Sequence, residues 1–186
     1  MSHESSDAEL AIRAVGGEEV AFTAIMRRYK DPLYRLIRRH VGDADESYDV
    51  LQESFVSAWG ALARYDSARP FYSWLARIAL NKCRDRGRRL FVRRLLRGAT
   101  SLDTIGDLAD PQPLADTLVI DRDALARLDR AIASLPVKLK EPLILTALDE
   151  MSQAEAAAIL GVSIKTVETR IYRARQKLAA SLDLAG

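Results

Sequence analysis

The chain has 186 residues, 48% of them hydrophobic, and a formal net charge of +2. That length supplies one medium domain or two small ones. No apolar run approaches the ~18 residues of a membrane span, and the polar opening "MSHESSDAEL" lacks a signal-peptide core. The single cysteine, Cys83, excludes an intramolecular disulfide and a cysteine-rich zinc site, and reads as a buried helical residue. His3 and His40 are far apart and flank no metal-ligand pattern. The composition is that of a cytoplasmic protein.

In chain order, nearly every periodic stretch has the helical step, and no alternating strand pattern stands out. After a polar segment over 1–17, Phe22, Ile25, Met26 and Tyr29 share a face. Asp31-Pro32 follows, where the missing N–H predicts a kink or restart. Leu33, Leu36 and Ile37 continue the stripe. "GDADE" gives a turn and a start signal for a long helix. Tyr48, Leu51, Phe55, Ala58 and Leu62 fall on one of its faces, and Asp45, Asp49, Gln52 and Glu53 on the other side. "RYDSARP" interrupts the pattern, with Pro70 suited to a first helical turn. Phe71, Trp74, Leu75 and Ile78 stripe the next helix, which runs into "NKCRDRGRR".

The small net charge conceals a strong asymmetry. Residues 60–99 hold eleven Lys/Arg against Asp66 and Asp85, or +9; residues 100–123 hold six Asp against Arg122, or −5. A basic block beside an acidic one points to a nucleic-acid surface and a separate tether. Gly98, Gly106, Pro111 and Pro113 mark that acidic stretch as a linker. A second helical unit begins with Leu125, Leu128, Ile132 and Leu135 and continues through "LPVKLKEPLILTAL". Pro142 there forfeits a bond to Lys138 if the helix starts at Val137, and lies in a tolerant first turn if it starts later.

The last unit carries the sharpest local signals. "MSQAEAAAILG" has Ser152 with Glu155 three residues on, a capping-box pattern, before a short helix of small residues. Gly161 permits a left-handed turn. Ser163 is a good N-cap for the next helix. Ile164, Val167, Ile171, Ala174 and Leu178 form that helix's apolar stripe, and Lys165, Thr166, Glu168, Thr169, Arg170, Arg173 and Arg175 fall mostly off it. Alone, this is an amphipathic surface helix. Behind a short helix and a glycine turn, it is the helix-turn-helix plan, whose second helix enters the major groove.

Signs of catalysis are missing. Gly16-Gly17 lacks the Lys-Ser/Thr sequel of a phosphate loop, and GxSxG, HExxH and CxxC do not occur. Paired carboxylates such as Asp49 and Glu53 lie on a helix face, where they meet water or a basic partner. The reading is therefore a non-enzyme, with no catalytic residue, cofactor, metal or small-molecule substrate.

Taken together, "AFTAIMRRYKDPLYRLIRRHVGDADESYDVLQESFVSAW", "FYSWLARIALNKCRDRGRR", "LPVKLKEPLIL" and "MSQAEAAAILGVSIKTVETRIYRARQKL" resemble the extracytoplasmic-function (ECF, group 4) sigma factors of the sigma-70 family. The likeness covers roughly residues 18 to 90 and 124 to 180. It implies an all-α fold of two small helical domains: a region 2-like bundle over 18–97 and a region 4-like helix-turn-helix domain over 124–186, joined by a flexible acidic linker over 98–123.

The roles it implies follow the motifs. Asp45, Asp49, Leu51, Gln52 and Glu53 would dock on the β′ coiled coil of core RNA polymerase, and the second domain would meet the β flap. Arg64, Arg69, Trp74, Arg77, Asn81, Arg84, Asp85 and Arg88 would read the −10 element, where the family flips a non-template base into a pocket; Trp74 is either a stacking platform or a core residue. Lys165, Thr166, Glu168, Thr169, Arg170 and Arg173 would contact the −35 element. The six linker Asp either imitate a nucleic-acid backbone in the polymerase channel or keep a tether soluble.

Some positions depart from the family pattern. Tyr72 stands where a basic residue is frequent, "ESYDVLQE" lacks the acidic-rich approach, Pro142 replaces β-branched or small residues, and Glu168 sits at an often basic position. The implied function is promoter recognition and duplex opening as a dissociable polymerase subunit, for a stress regulon. An anti-sigma factor, often membrane-bound in this family, would hold it in check. A stand-alone helix-turn-helix regulator and a sigma-like mimic that titrates an anti-sigma factor are the alternatives.

Overall fold

A computed structural model describes residues 5–98 and 122–183, and every regular element among them is helical. The first, α1 (Asp7–Val15), lies within the stretch read from sequence only as a polar segment. Ser6 and Glu9 close a capping box around its start: the Glu9 N–H donates to the Ser6 hydroxyl and the Ser6 N–H to the Glu9 carboxylate, at 3.3 and 2.9 Å. Leu10, Ala11 and Ala14 are buried. The Asp7 carboxylate accepts from Tyr29 and Arg28, which ties α1 to the next helix.

Helix α2 (Glu19–Val41) runs on through Pro32, so the helix does not restart there. A proline withholds a single N–H, here the one that would reach the Arg28 carbonyl. Ile25, Leu33, Leu36 and Ile37 on either side are wholly buried and hold the backbone in register. Helix α3 (Ala44–Ala61) starts at Asp43, whose carboxylate accepts the Glu46 N–H at 2.8 Å. It buries Val50, Leu51, Phe55 and Ala58, whereas Tyr48, expected on that face, is exposed and stacks on Tyr34 at a centroid distance of 4.5 Å. A 3₁₀ turn (Leu62–Arg64) and the loop to Pro70 lead into α4 (Phe71–Gly98), which buries Phe71, Leu75, Ala76, Ala79, Leu80 and Cys83. Trp74 and Ile78 are half-buried.

The acidic linker falls on residues 99–121, outside the described ones; Gly98 belongs to α4 and Arg122 to α5 (Arg122–Ser134). Helix α6 (Val137–Leu143) begins at Val137, so Pro142 lies inside it and forfeits the bond to Lys138. One turn of π-helix (Ile144–Leu148) follows directly. Helix α7 (Gln153–Leu160) has its capping box, with the Glu155 N–H 3.2 Å from the Ser152 hydroxyl and the Ser152 N–H 2.9 Å from the Glu155 carboxylate. Gly161 turns the chain at φ 67°, and Ser163 caps α8 (Ile164–Asp183) by accepting the Thr166 N–H at 3.2 Å. Val167, Ile171, Ala174 and Leu178 are buried as their spacing predicts. Ile164, assigned to the same stripe, is 47% exposed.

Helices α1–α4 form one bundle and α5–α8 another. The two touch where α2 meets α5 and the π-turn, and where α4 meets α7. Their buried apolar side chains form one connected cluster. A Ser152→Ala substitution is expected to lower stability by ~0.5–2 kcal/mol, the usual worth of an N-cap hydroxyl. Urea denaturation checks this; an unchanged midpoint would mean that the box contributes nothing to the helix-turn-helix unit.

Candidate nucleic-acid and polymerase interfaces

On α8 the side chains assigned to the −35 element start from one end. Lys165, Glu168, Thr169 and Arg173 are exposed, and Thr166 and Arg170 are half-buried. Two hydroxyls are already engaged locally: Thr169 donates to the Lys165 carbonyl at 2.8 Å, and the Thr166 hydroxyl lies 2.8 Å from that of Ser163. The groups with donors to spare are therefore Lys165, Arg170 and Arg173, whose charge suits phosphates and guanine edges.

On α3 the acidic face is open. Asp45, Asp49 and Gln52 are exposed and Glu53 is half-buried. Leu51 differs: it is 4% exposed, among the core residues, so its side chain supports this face from beneath and presents nothing to a partner. Arg86 of α4, which sequence reasoning left in the general basic block, reaches back to Glu46 at 3.0 Å and Asp49 at 3.9 Å. The hydrogen bond to Glu46 holds its guanidinium firmly protonated. Arg86 thus fixes α3 against α4 and offsets part of the acidic charge.

The −10 set divides in two. Arg64 and Arg69 are exposed around the 3₁₀ turn and loop, where Arg69 pairs with Asp66 at 3.4 Å and the Tyr65 hydroxyl donates to the Arg69 carbonyl at 2.6 Å. Trp74 packs obliquely on Phe71 and Tyr65, with centroids 5.2 and 5.3 Å away, which favours a packing role over a stacking platform. On α4, Arg77, Asn81, Arg84 and Arg88 follow at steps of four, three and four residues and share one stripe. Asp85 lies beside it and pairs with Arg88.

Two residues of that stripe, Arg84 and Arg77, meet the second bundle. Arg84 makes a two-pronged ion pair with Glu141 of α6, its Nε 2.7 Å and Nη2 2.6 Å from the two carboxylate oxygens, while Nη1 donates to the Asn81 side-chain oxygen at 3.0 Å. Arg77 donates to the Ala158 carbonyl of α7 at 3.3 Å. Glu141 is buried and also lies 3.3 Å from His40 Nε2. Burial pushes its carboxyl up, but hydrogen bonds from His40 and Arg84 outweigh this and hold it below its ordinary value. Neighbouring Lys140, with its ammonium lowered by burial, donates to the His40 carbonyl at 3.0 Å.

A second polar contact lies at Asp149. It accepts from Arg39 at 3.1 Å and from the Tyr72 hydroxyl at 3.2 Å, and Arg39 also donates to the Leu148 carbonyl at 3.0 Å. Here burial outweighs both donors, and the Asp149 carboxyl sits above its ordinary value. Tyr72, the residue that departs from the family's basic preference, is thus a bundle-to-bundle contact.

Comparisons with known proteins fit this layout. Residues 25–90 match the family model for sigma-70 region 2 and residues 125–178 that for sigma-70 region 4. The RNA polymerase sigma factor CnrH of Cupriavidus metallidurans is 41% identical over 186 residues, spanning 98% of this chain and 97% of the relative. This chain belongs to the ECF sigma factors of the sigma-70 family.

Other relatives of the sigma factor agree. ECF sigma factor SigW of Bacillus subtilis is 31% identical, over 89% of this chain and 91% of its own. The structure of CnrH in complex with the cytosolic domain of CnrY superimposes with a TM-score of 0.70 at 37% identity, covering 98% of this chain and all of that one. A co-crystal structure of the sigma factor RpoE with the anti-sigma factor NepR from Bartonella quintana has a TM-score of 0.71 at 22% identity, covering 87% and 96%, and speaks for the fold. Among the described residues, no helix is long and apolar enough to cross a membrane.

Proposed function

We propose that this sigma factor acts in the cytoplasm as a dissociable, non-enzymatic subunit that docks on core RNA polymerase through the acidic face of α3. In this reading α8 recognises −35 DNA, and the loop 64–70 with the α4 stripe captures and melts the −10 element. The observation that carries it is the presence in one chain of an exposed carboxylate face, an arginine–asparagine stripe and a capped helix-turn-helix with a basic second helix. A lone DNA regulator has no use for the first of these. A protein partner that restrains the factor fits the same picture, since CnrH was solved with the cytosolic domain of CnrY.

Arg170→Ala and Arg173→Ala are expected to weaken −35 binding by the reconstituted holoenzyme. A base-reading arginine costs ~1–3 kcal/mol and relaxes preference at one position, whereas a phosphate contact weakens all sequences alike. Competition binding across −35 variants separates the two. Unchanged binding in both mutants would remove α8 from the DNA interface.

A further inference from the structure

We propose that Glu168 selects cytosine at one position of the −35 element, by accepting a hydrogen bond from the exocyclic amino group of that base. This rests on reading α8 as the −35 helix. Glu168 is the one acidic residue of α8 ahead of Asp183 at its end. It opens the second turn and is exposed, with Lys165 three residues before it and Tyr172 four residues after it on the same flank. In a helix-turn-helix, the side chains near the start of the second helix are those that meet base edges.

The carboxylate is uncommitted within the chain. It shares an open groove between the start of α7 and α8 with Ser152, Gln153, Tyr172 and Arg175. Neither Arg175 nor Lys165 pairs with it, and among the described residues it has no hydrogen bond. The hydroxyls beside it are engaged, Thr166 with Ser163 and Thr169 with the Lys165 carbonyl, while Lys165, Arg170 and Arg173 can only donate. Glu168 is thus the one side chain on this part of α8 that can only accept.

That property restricts what it can meet. The walls of the groove are phosphates, which repel a carboxylate, so Glu168 gains only against a donor on a base edge. The major groove offers two such donors, the N4 amino group of cytosine and the N6 amino group of adenine. Adenine sets its N7 acceptor beside N6, where the second carboxylate oxygen meets a lone pair. Cytosine presents its amino group with no acceptor of its own on that edge, and it is the base that suits a carboxylate. Lys165, Arg170 and Arg173 supply the attraction to phosphates that carries this anion into the groove.

The test uses holoenzyme reconstituted from core polymerase and the full chain, with duplex promoters randomised over the −35 element. Wild type, Glu168→Ala and Glu168→Gln are compared by competition binding. The wild-type profile should contain a position at which cytosine is preferred about tenfold over the other bases. Glu168→Ala is expected to flatten that position alone and to bind duplex lacking a −35 element more tightly, since an anion has left a phosphate-lined groove. Glu168→Gln is expected to let adenine overtake cytosine there, because an amide donates to N7 and accepts from N6. A cytosine preference that survives in Glu168→Ala, or a cytosine-to-adenine ratio that Glu168→Gln leaves at the wild-type value, overturns the assignment. A uniform gain in affinity with an unchanged profile sets Glu168 against phosphates and overturns it as well. If the Glu168 variants leave the profile unchanged while Arg170→Ala and Arg173→Ala weaken −35 binding, the error lies in Glu168 alone. If the arginine variants are also without effect, the reading of α8 falls with it.

Discussion

Asp49→Arg combined with Glu53→Arg is expected to abolish association with core RNA polymerase while leaving the circular dichroism spectrum unchanged. Both carboxylates lie on the outer side of α3, whose opposite side holds Val50, Leu51, Phe55 and Ala58 in the core. Reversing two charges replaces attraction by repulsion toward a basic partner surface, and losing one partner of a close interfacial charge pair already costs ~2–5 kcal/mol. The fold pays little for this, because Asp49 is exposed and its distance to Arg86 is 3.9 Å, the long arm of a pair whose short arm is Glu46 at 3.0 Å. Full affinity for core enzyme, measured by size-exclusion co-elution or surface binding, would contradict the docking assignment.

The second large effect concerns the α4 stripe in the assembled holoenzyme. Replacing Arg84 and Arg88 together with alanine is expected to weaken binding to every single strand and to flatten the salt dependence by up to ~1 per lost phosphate contact. Asn81→Ala removes an amide but no charge. Salt-dependent affinity should then barely move, while discrimination among −10 sequences and open-complex formation fall. Permanganate footprinting and strand binding, read together, separate the two patterns. Normal opening with unchanged −10 preference in Asn81→Ala would make Asn81 structural and shift the search for the pocket to the loop 64–70.

Features set by neighbours within a few residues were legible in the sequence. The Ser152/Glu155 box, the left-handed Gly161 and the Ser163 cap all depend on hydrogen bonds three or four residues long. The stripe of Val167, Ile171, Ala174 and Leu178 follows from helical period alone. The same logic was available at Ser6 and Glu9, yet the polar composition around them drew attention away from α1. Period failed at Tyr48 and Ile164, which share the spacing of buried residues and are exposed. It held at Leu51, which is buried beside Phe55 and Ala58 as its spacing predicts. No restart occurs at Pro32, where one lost hydrogen bond does not end a helix whose Leu33, Leu36 and Ile37 are buried.

What sequence could not reach is the polar contact between the bundles. Glu141 meets Arg84 across 57 positions and Asp149 meets Arg39 across 110, and nothing local at either end announces the pairing. Lys140 and Glu141 are buried, with His40 of α2 and Arg84 of α4 among their partners. Arg84 was legible as a basic residue on the right stripe, and its occupation by a carboxylate was not.

Runoff transcription from a promoter library, with core polymerase alone, the chain alone and the two together, tests the central claim most directly. Specific transcripts, sharing −35 and −10 sequences, are expected only when both are present. Tight, sequence-specific binding of duplex DNA by the chain alone, with no promoter-directed transcript from the mixture, would contradict the account.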